Sequence, residues 1–274
     1  MTPIKSACFL SLLLLSCSRF QQAQPTIIRL KGSDTMQILG ARWAESYMKL
    51  KPKVSVYVEG GGTATGVRAL LDGEADVCTA SRPLRAIEAR LLAEKYGYLG
   101  IRHLVAKDAL SIYVHPQNPV QNLTVEQLKH IFTGKINLWN QLGGNDDAIR
   151  VLIRSPNSGT YLYFKEHILD GEAYSPQAQT MTTTSAIVDA VANNPAAIGY
   201  GGIVYGSEVI HCKIENIAPT DATVRNDSYP IIRYLYLYTI NTPRGQVKSF
   251  IDWVLTDGQK IVQQVGYIPL WEEN

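Results

Sequence analysis

Four times along this chain a strand-like apolar run ends in a small, hydroxyl-bearing turn and passes straight into a helix-like run. Thr26 to Leu30 leads through Gly32, Ser33, Asp34 and Thr35 into a stripe of Met36, Leu39, Trp43, Tyr47 and Leu50 at helical spacing. Val54 to Val58 alternates as a strand does. It leads through Gly60, Gly61, Gly62, Thr63, Ala64, Thr65 and Gly66 into a helix carrying Val67, Leu70 and Leu71. Asp76 to Ala80 leads into Ser81, Arg82 and Pro83, where the proline predicts the first turn of a helix with Arg82 at its N-terminus. Ile149 to Ile153 leads through Arg154, Ser155, Pro156, Asn157, Ser158 and Gly159 into a helix from Thr160 to Leu169. Such alternation predicts an α/β fold with mostly parallel sheets flanked by helices, and ligand loops at the carboxyl ends of the strands.

The fourth turn carries the clearest chemistry. Ser158 stands where an N-cap should be, so its hydroxyl and the first free helix amides point at one spot, favoured for an anion by the helix dipole. Arg154 adds a planar fork of donors suited to two oxygens of a phosphate or carboxylate. This run donates and does not accept, which suits binding an oxyanion better than cutting one. The glycine run at 60–66 fits neither the dinucleotide spacing nor the nucleotide-hydrolase loop, because no Lys-Ser or Lys-Thr pair follows it. A cation such as Arg82 at a helix N-terminus costs roughly 0.3–1 kcal/mol, a sign that a bound anion would reverse.

Composition excludes several classes. Charged residues are 18% and the net charge is +2, which gives no reason for nucleic acid. The histidines at 103, 115, 130, 167 and 211 form no pair at metal-ligand spacing, and neither a nucleophile elbow nor a zinc-protease motif is present. The expectation is therefore a binding protein, not an enzyme, without metal or cofactor. Met1 to Ser16 has Lys5 and the apolar run Ala7 to Leu15, too short to remain as a membrane span. Leu14, Leu15, Ser16 and Cys17 are similar to a bacterial lipobox, with Cys17 as the lipidated residue. That makes 1–16 a lipoprotein signal peptide and 17–25 a tether. Cys8 leaves with the signal, and Cys78 and Cys212 are expected as buried free thiols.

The alternating pattern runs to about His115, where Pro116 and Pro119 mark an exit into a second alternating unit. Ile231 to Ile240 is a long aromatic and β-branched strand that leads the chain back. The expected organisation is one lobe of 26–115 plus 231–274 and a second of 116–230, joined by two crossing strands with a ligand cleft between them.

These stretches together resemble the phosphate-binding lipoproteins of bacterial ABC phosphate importers, of the two-lobe periplasmic-binding-protein type. The resemblance is carried by 32–36, 60–66, 80–84, 131–144, 154–160 and the C-terminal run from Gly258. It implies phosphate contacts from Thr35, the Met36 amide, Thr63, Arg154, Ser158, Gly159 and Thr160. Arg82 stands where some members carry an aspartate that accepts the proton of hydrogen phosphate; as a further ligand residue it implies tolerance of sulfate. Asp34 and Glu59 are the carboxylates that could supply an acceptor instead. The implied partners are inorganic phosphate and ABC permease subunits, with the membrane reached only through the lipid, and the chain acting as an exported monomer. Two alternatives stand beside this: capture of another tetrahedral oxyanion or a phosphate ester, and a sensing or interaction lipoprotein without transport role.

Overall fold

The computed structural model describes residues 26–271. The signal segment 1–16 and the tether 17–25, with Cys17, lie outside the described residues. β1 (Thr26–Gly32) is followed by a 3-10 turn at Asp34–Met36 and α1 (Gln37–Leu50). Then come β2 (Val54–Glu59), α2 (Thr63–Asp72), β3 (Val77–Ala80) and α3 (Ala86–Tyr96). β1 pairs in parallel with β2 on one side and β3 on the other, with helices as the connections.

β4 (Ile101–Val114) carries the chain across. The second lobe holds β5 (Asn122–Leu123), α4 (Val125–Thr133), β6 (Arg150–Arg154), α5 (Gly159–His167), β7 (Gln179–Met181) and α6 (Thr184–Ala192). It continues with β8 (Ala197–Gly202), β9 (Ile210–His211), β10 (Lys213–Ile214) and α7 (Asp221–Arg225). β11 (Ile232–Thr239) returns the chain, and α8 (Gly245–Val254) and α9 (Gln259–Val265) close it.

The length of β4 serves both lobes. Ile101 to Ala109 pairs antiparallel with β11, while Leu110 to Val114 pairs antiparallel with β8. The strands therefore run in the order β2-β1-β3-β11-β4-β8-β6-β7 through both lobes, with β4 and β11 at the crossing. Each lobe has its own core. Trp43, Tyr47, Leu235 and Phe250 anchor the first, and Leu128, Phe132, Trp139 and Phe164 the second. Cys78 and Cys212 are buried and free, in different cores.

Two local expectations need correction. The α1 stripe ends at Tyr47, because Leu50 in the last turn is 56% exposed. The helix after β3 does not start at Pro83 but at Ala86, with Arg85 as N-cap. The reason is Glu88, whose carboxylate accepts the Arg85 amide at 2.8 Å and so fixes the first turn three residues later than the proline suggested.

Candidate functional site

β6 ends on Arg154, and the chain turns into α5 through Ser158. The Ser158 Oγ accepts the Thr160 amide at 3.2 Å and the Tyr161 amide at 3.4 Å, the N-cap expected from sequence. Capping uses the oxygen's lone pairs and leaves the hydroxyl proton for an acceptor in the cleft.

The N-terminus of α2 comes up against this turn from the other lobe. The Ala64 amide donates to Asn157 O at 3.1 Å, and Asn157 Nδ2 donates to Gly61 O at 2.7 Å. Gly62, at φ 96°, allows that approach: a Cβ there would lie 2.6 Å from Asn157 O. Gly159 makes a second close approach, since a Cβ on it would lie 2.6 Å from Ser81 Oγ and closer still to Thr63 Oγ1. Thr63 Oγ1 in turn accepts the Ser81 amide at 3.2 Å. Thr35 and Thr160, one from each lobe, bring their hydroxyls to 3.1 Å. The lobes are thus in contact around a ring of hydroxyls at the ends of β1, β3 and β6. The Met36 amide is used differently from the expectation. It closes the 3-10 turn on Ser33 O at 3.0 Å.

The arginines are less free than the sequence suggests. Arg154, 1% exposed, donates Nη2 to Asp34 Oδ2 at 2.5 Å and to Thr182 O at 3.0 Å, and Nη1 to Thr184 Oγ1 at 2.9 Å. Asp34 also accepts the Gly61 amide at 2.9 Å, so this carboxylate ties the two glycine-rich turns to the clamp arginine of the other lobe. Glu59, the other acceptor considered, is exposed and pairs with Lys31 at 3.0 Å. Arg82 is buried, but its two terminal nitrogens form a fork on Glu88 at 2.8 and 2.7 Å. Burial works to raise the Glu88 carboxyl, and the contacts from Arg82 and Arg85 overcome it and hold the group below its ordinary range. The charge of Arg82 is therefore balanced by Glu88 rather than set against a helix dipole, and an anion is not needed to explain it.

Three buried donors at this junction have no protein partner: Ser81 Oγ, Arg82 Nε and Arg154 Nε. Among the described residues the only other such side-chain atom is the Tyr47 hydroxyl. Buried polar atoms are nearly always paired, and leaving one unpaired costs about 1–3 kcal/mol. Ser81 and Arg82 directly follow β3 in the first lobe, and Arg154 ends β6 in the second. No cluster of His, Cys, Asp or Glu among the described residues is arranged to hold a metal ion.

A family model for the PBP superfamily domain matches residues 21–258. The phosphate-binding protein PstS of Pseudomonas aeruginosa is 32% identical over 263 residues, covering 87% of this chain and 81% of the relative. The chain belongs to the periplasmic-binding-protein superfamily and, within it, to the PstS family. The Bacillus subtilis PstS is 30% identical over 250 residues, with 89% and 80% of the two chains covered. A Clostridium perfringens substrate-binding protein, whose crystal structure contains bound phosphate, is similar with a TM-score of 0.83. It is 30% identical, and the match covers 90% of this chain and all of that one.

Within this PstS-family fold, sequence reasoning missed Ser81 as a separate donor and missed Asp108 and Arg233 entirely. Arg233 donates Nε to Asp108 Oδ2 at 2.8 Å, Nη1 to Thr160 Oγ1 at 2.7 Å and Nη2 to Thr35 Oγ1 at 3.3 Å. Both partners of this pair are fully buried. Burial pushes the Asp108 carboxyl up, opposed by the adjacent guanidinium. A signal did exist: Arg233 is the only charged residue of an otherwise apolar and aromatic β11, and a base so placed calls for an acid once buried.

Proposed function

We propose that this protein is an extracytoplasmic solute-binding protein that captures inorganic phosphate between its lobes and hands it to an ABC importer. Ser81 Oγ, Arg82 Nε and Arg154 Nε, buried donor atoms without a protein partner, carry this assignment, because a tetrahedral oxyanion supplies several acceptors from one point. Thr35, Thr63, Ser158, Gly159 and Thr160 line the same junction and are assigned as the remaining ligand residues. Met36, whose side chain is buried in the first-lobe core, was expected to contribute only its amide. The PstS relatives and the phosphate-bound Clostridium perfringens structure support the choice of phosphate. Solute-binding proteins of this superfamily are not enzymes.

We assign 26–115 with 231–274 to one lobe and 116–230 to the other, so that ligand and lobe closure are coupled through the Asp34–Arg154 contact. Cys17 is assigned as the lipid-bearing residue that tethers the chain to a bacterial membrane through 17–25. The sulfate tolerance expected from Arg82 rested on the missing aspartate acceptor and on two arginines in the site; Arg82 is instead forked on Glu88, and the Asp34 carboxylate lies against Arg154 as an acceptor. Selectivity then follows from where the donors stand and from the Asp34 carboxylate nearby.

Calorimetric titration of the purified protein with phosphate, sulfate, arsenate and molybdate tests the assignment. Phosphate and arsenate should bind tightly and sulfate much more weakly. Absence of heat and of any rise in melting temperature with phosphate would refute it.

A further inference from the structure

Arg233 and Asp108 face each other in register across β11 and β4, the two strands that cross between the lobes. The guanidinium engages all three of its nitrogens: one on Asp108, one on Thr160 of the second lobe and one on Thr35 of the first. Asp108 is itself fixed, since its Oδ1 accepts the Ile203 amide at 3.2 Å.

A hydroxyl has one proton to give and two lone pairs to receive. A guanidinium can only donate, so each threonine oxygen spends a lone pair on Arg233. What each hydroxyl retains to offer is its proton, either to the other threonine 3.1 Å away or to an acceptor in the cleft. The ionised oxygens of an anion accept and do not donate. Arg233 therefore stands behind the two hydroxyls and turns them towards the ligand as donors. It does so with little added charge, because Asp108 balances it at the same depth. Since one hydroxyl comes from each lobe, both contacts exist together only with the lobes in contact.

We infer that Arg233 is a positioning residue for the anion site, orienting Thr35 and Thr160 as paired donors and registering lobe closure; this rests on the phosphate assignment above. The three guanidinium nitrogens of Arg233 are taken up by Asp108, Thr160 and Thr35, so its role runs through the hydroxyls. Phosphate affinity and its on- and off-rates test this in a double-mutant cycle of Arg233→Lys with the pair Thr35→Val, Thr160→Val. Lysine keeps a positive charge opposite Asp108 but cannot reach both hydroxyls at once. Arg233→Lys alone should weaken phosphate binding on the order of tenfold or more, mainly through faster release. In the double-valine background the same change should cost under about threefold, because the groups it acts on are gone. Losses that multiply, or an Arg233→Lys protein within threefold of the original, would overturn the role while leaving phosphate binding intact. Should Arg233→Lys fail to fold, the neutral pair Asp108→Asn, Arg233→Gln carries the same cycle with the same outcomes. A parent protein that binds no phosphate would remove the phosphate assignment and this role with it.

Discussion

Gly159→Ala separates folding from closure in this protein. Gly159 opens α5 and is not at positive φ, so alanine fits the local backbone and stabilises it, by up to about 0.5–1 kcal/mol at a helix interior and less at its end. Across the cleft the added methyl would stand 2.6 Å from Ser81 Oγ, about an ångström inside ordinary contact. Overpacking of this kind costs about 1–3 kcal/mol, which at about 1.4 kcal/mol per tenfold is a loss of roughly five- to 150-fold in affinity. The clash disappears when the lobes part, so the folded protein escapes it by staying open. Calorimetry with phosphate should show the weakened binding, and the melting temperature without phosphate should hold or rise slightly. Small-angle scattering should show less compaction on adding phosphate than in the unmutated protein. Unchanged affinity would refute the close approach of α5 to Ser81. A fall in melting temperature that accounts for the whole loss would refute the separation of fold from closure.

Ser81→Ala removes a hydroxyl that has no protein partner, so phosphate affinity should drop about tenfold while thermal stability stays the same; lower stability with unchanged affinity would contradict its role as a ligand donor. Arg154→Ala should weaken phosphate at least about a hundredfold, and because it strands buried Asp34 it should also lower the melting temperature; an affinity loss under tenfold would sink the clamp. Burial pushes His103 and His211 below their ordinary value of 6.5, so the unfolded chain takes up protons that the folded chain refuses. Their contribution to stability is then full above about pH 6.5 and is lost as pH falls below it. Melting curves between pH 7.5 and 5.5 should show that decline, and His211→Gln should flatten it; a melting temperature that climbs on acidification would contradict the sign.

Much of the site was legible because its parts are local. A strand, a small turn and a helix lie within a few residues of one another, so the hydroxyls of Thr35, Thr63, Ser158 and Thr160 could be placed at helix starts from spacing alone. The Ser158 cap follows from φ/ψ preference and reach over three residues, and it stands as read. Misplacing the start of α3 was a local error too. Pro83 drew the helix forward, whereas the Glu88 carboxylate six residues beyond Arg82 decided both the cap and the fate of the guanidinium.

Sequence by itself determined the α/β alternation, the two apolar cores and the hydroxyl-rich turns, since each depends on periodicity and short-range hydrogen bonding. Only the tertiary structure decided who partners whom across the cleft. Asp34 and Arg154 are 120 residues apart, and Arg233 lies 73 from Thr160 and 198 from Thr35. Each of these groups is charged or polar and buried, so each must find a partner, but the requirement names only a chemistry and not a position. The crossing of β4 and β11 supplies the position. It sets Asp108 opposite Arg233 in register and carries the ends of β1, β3 and β6 to the same junction, where donors that look independent in the chain share one cleft.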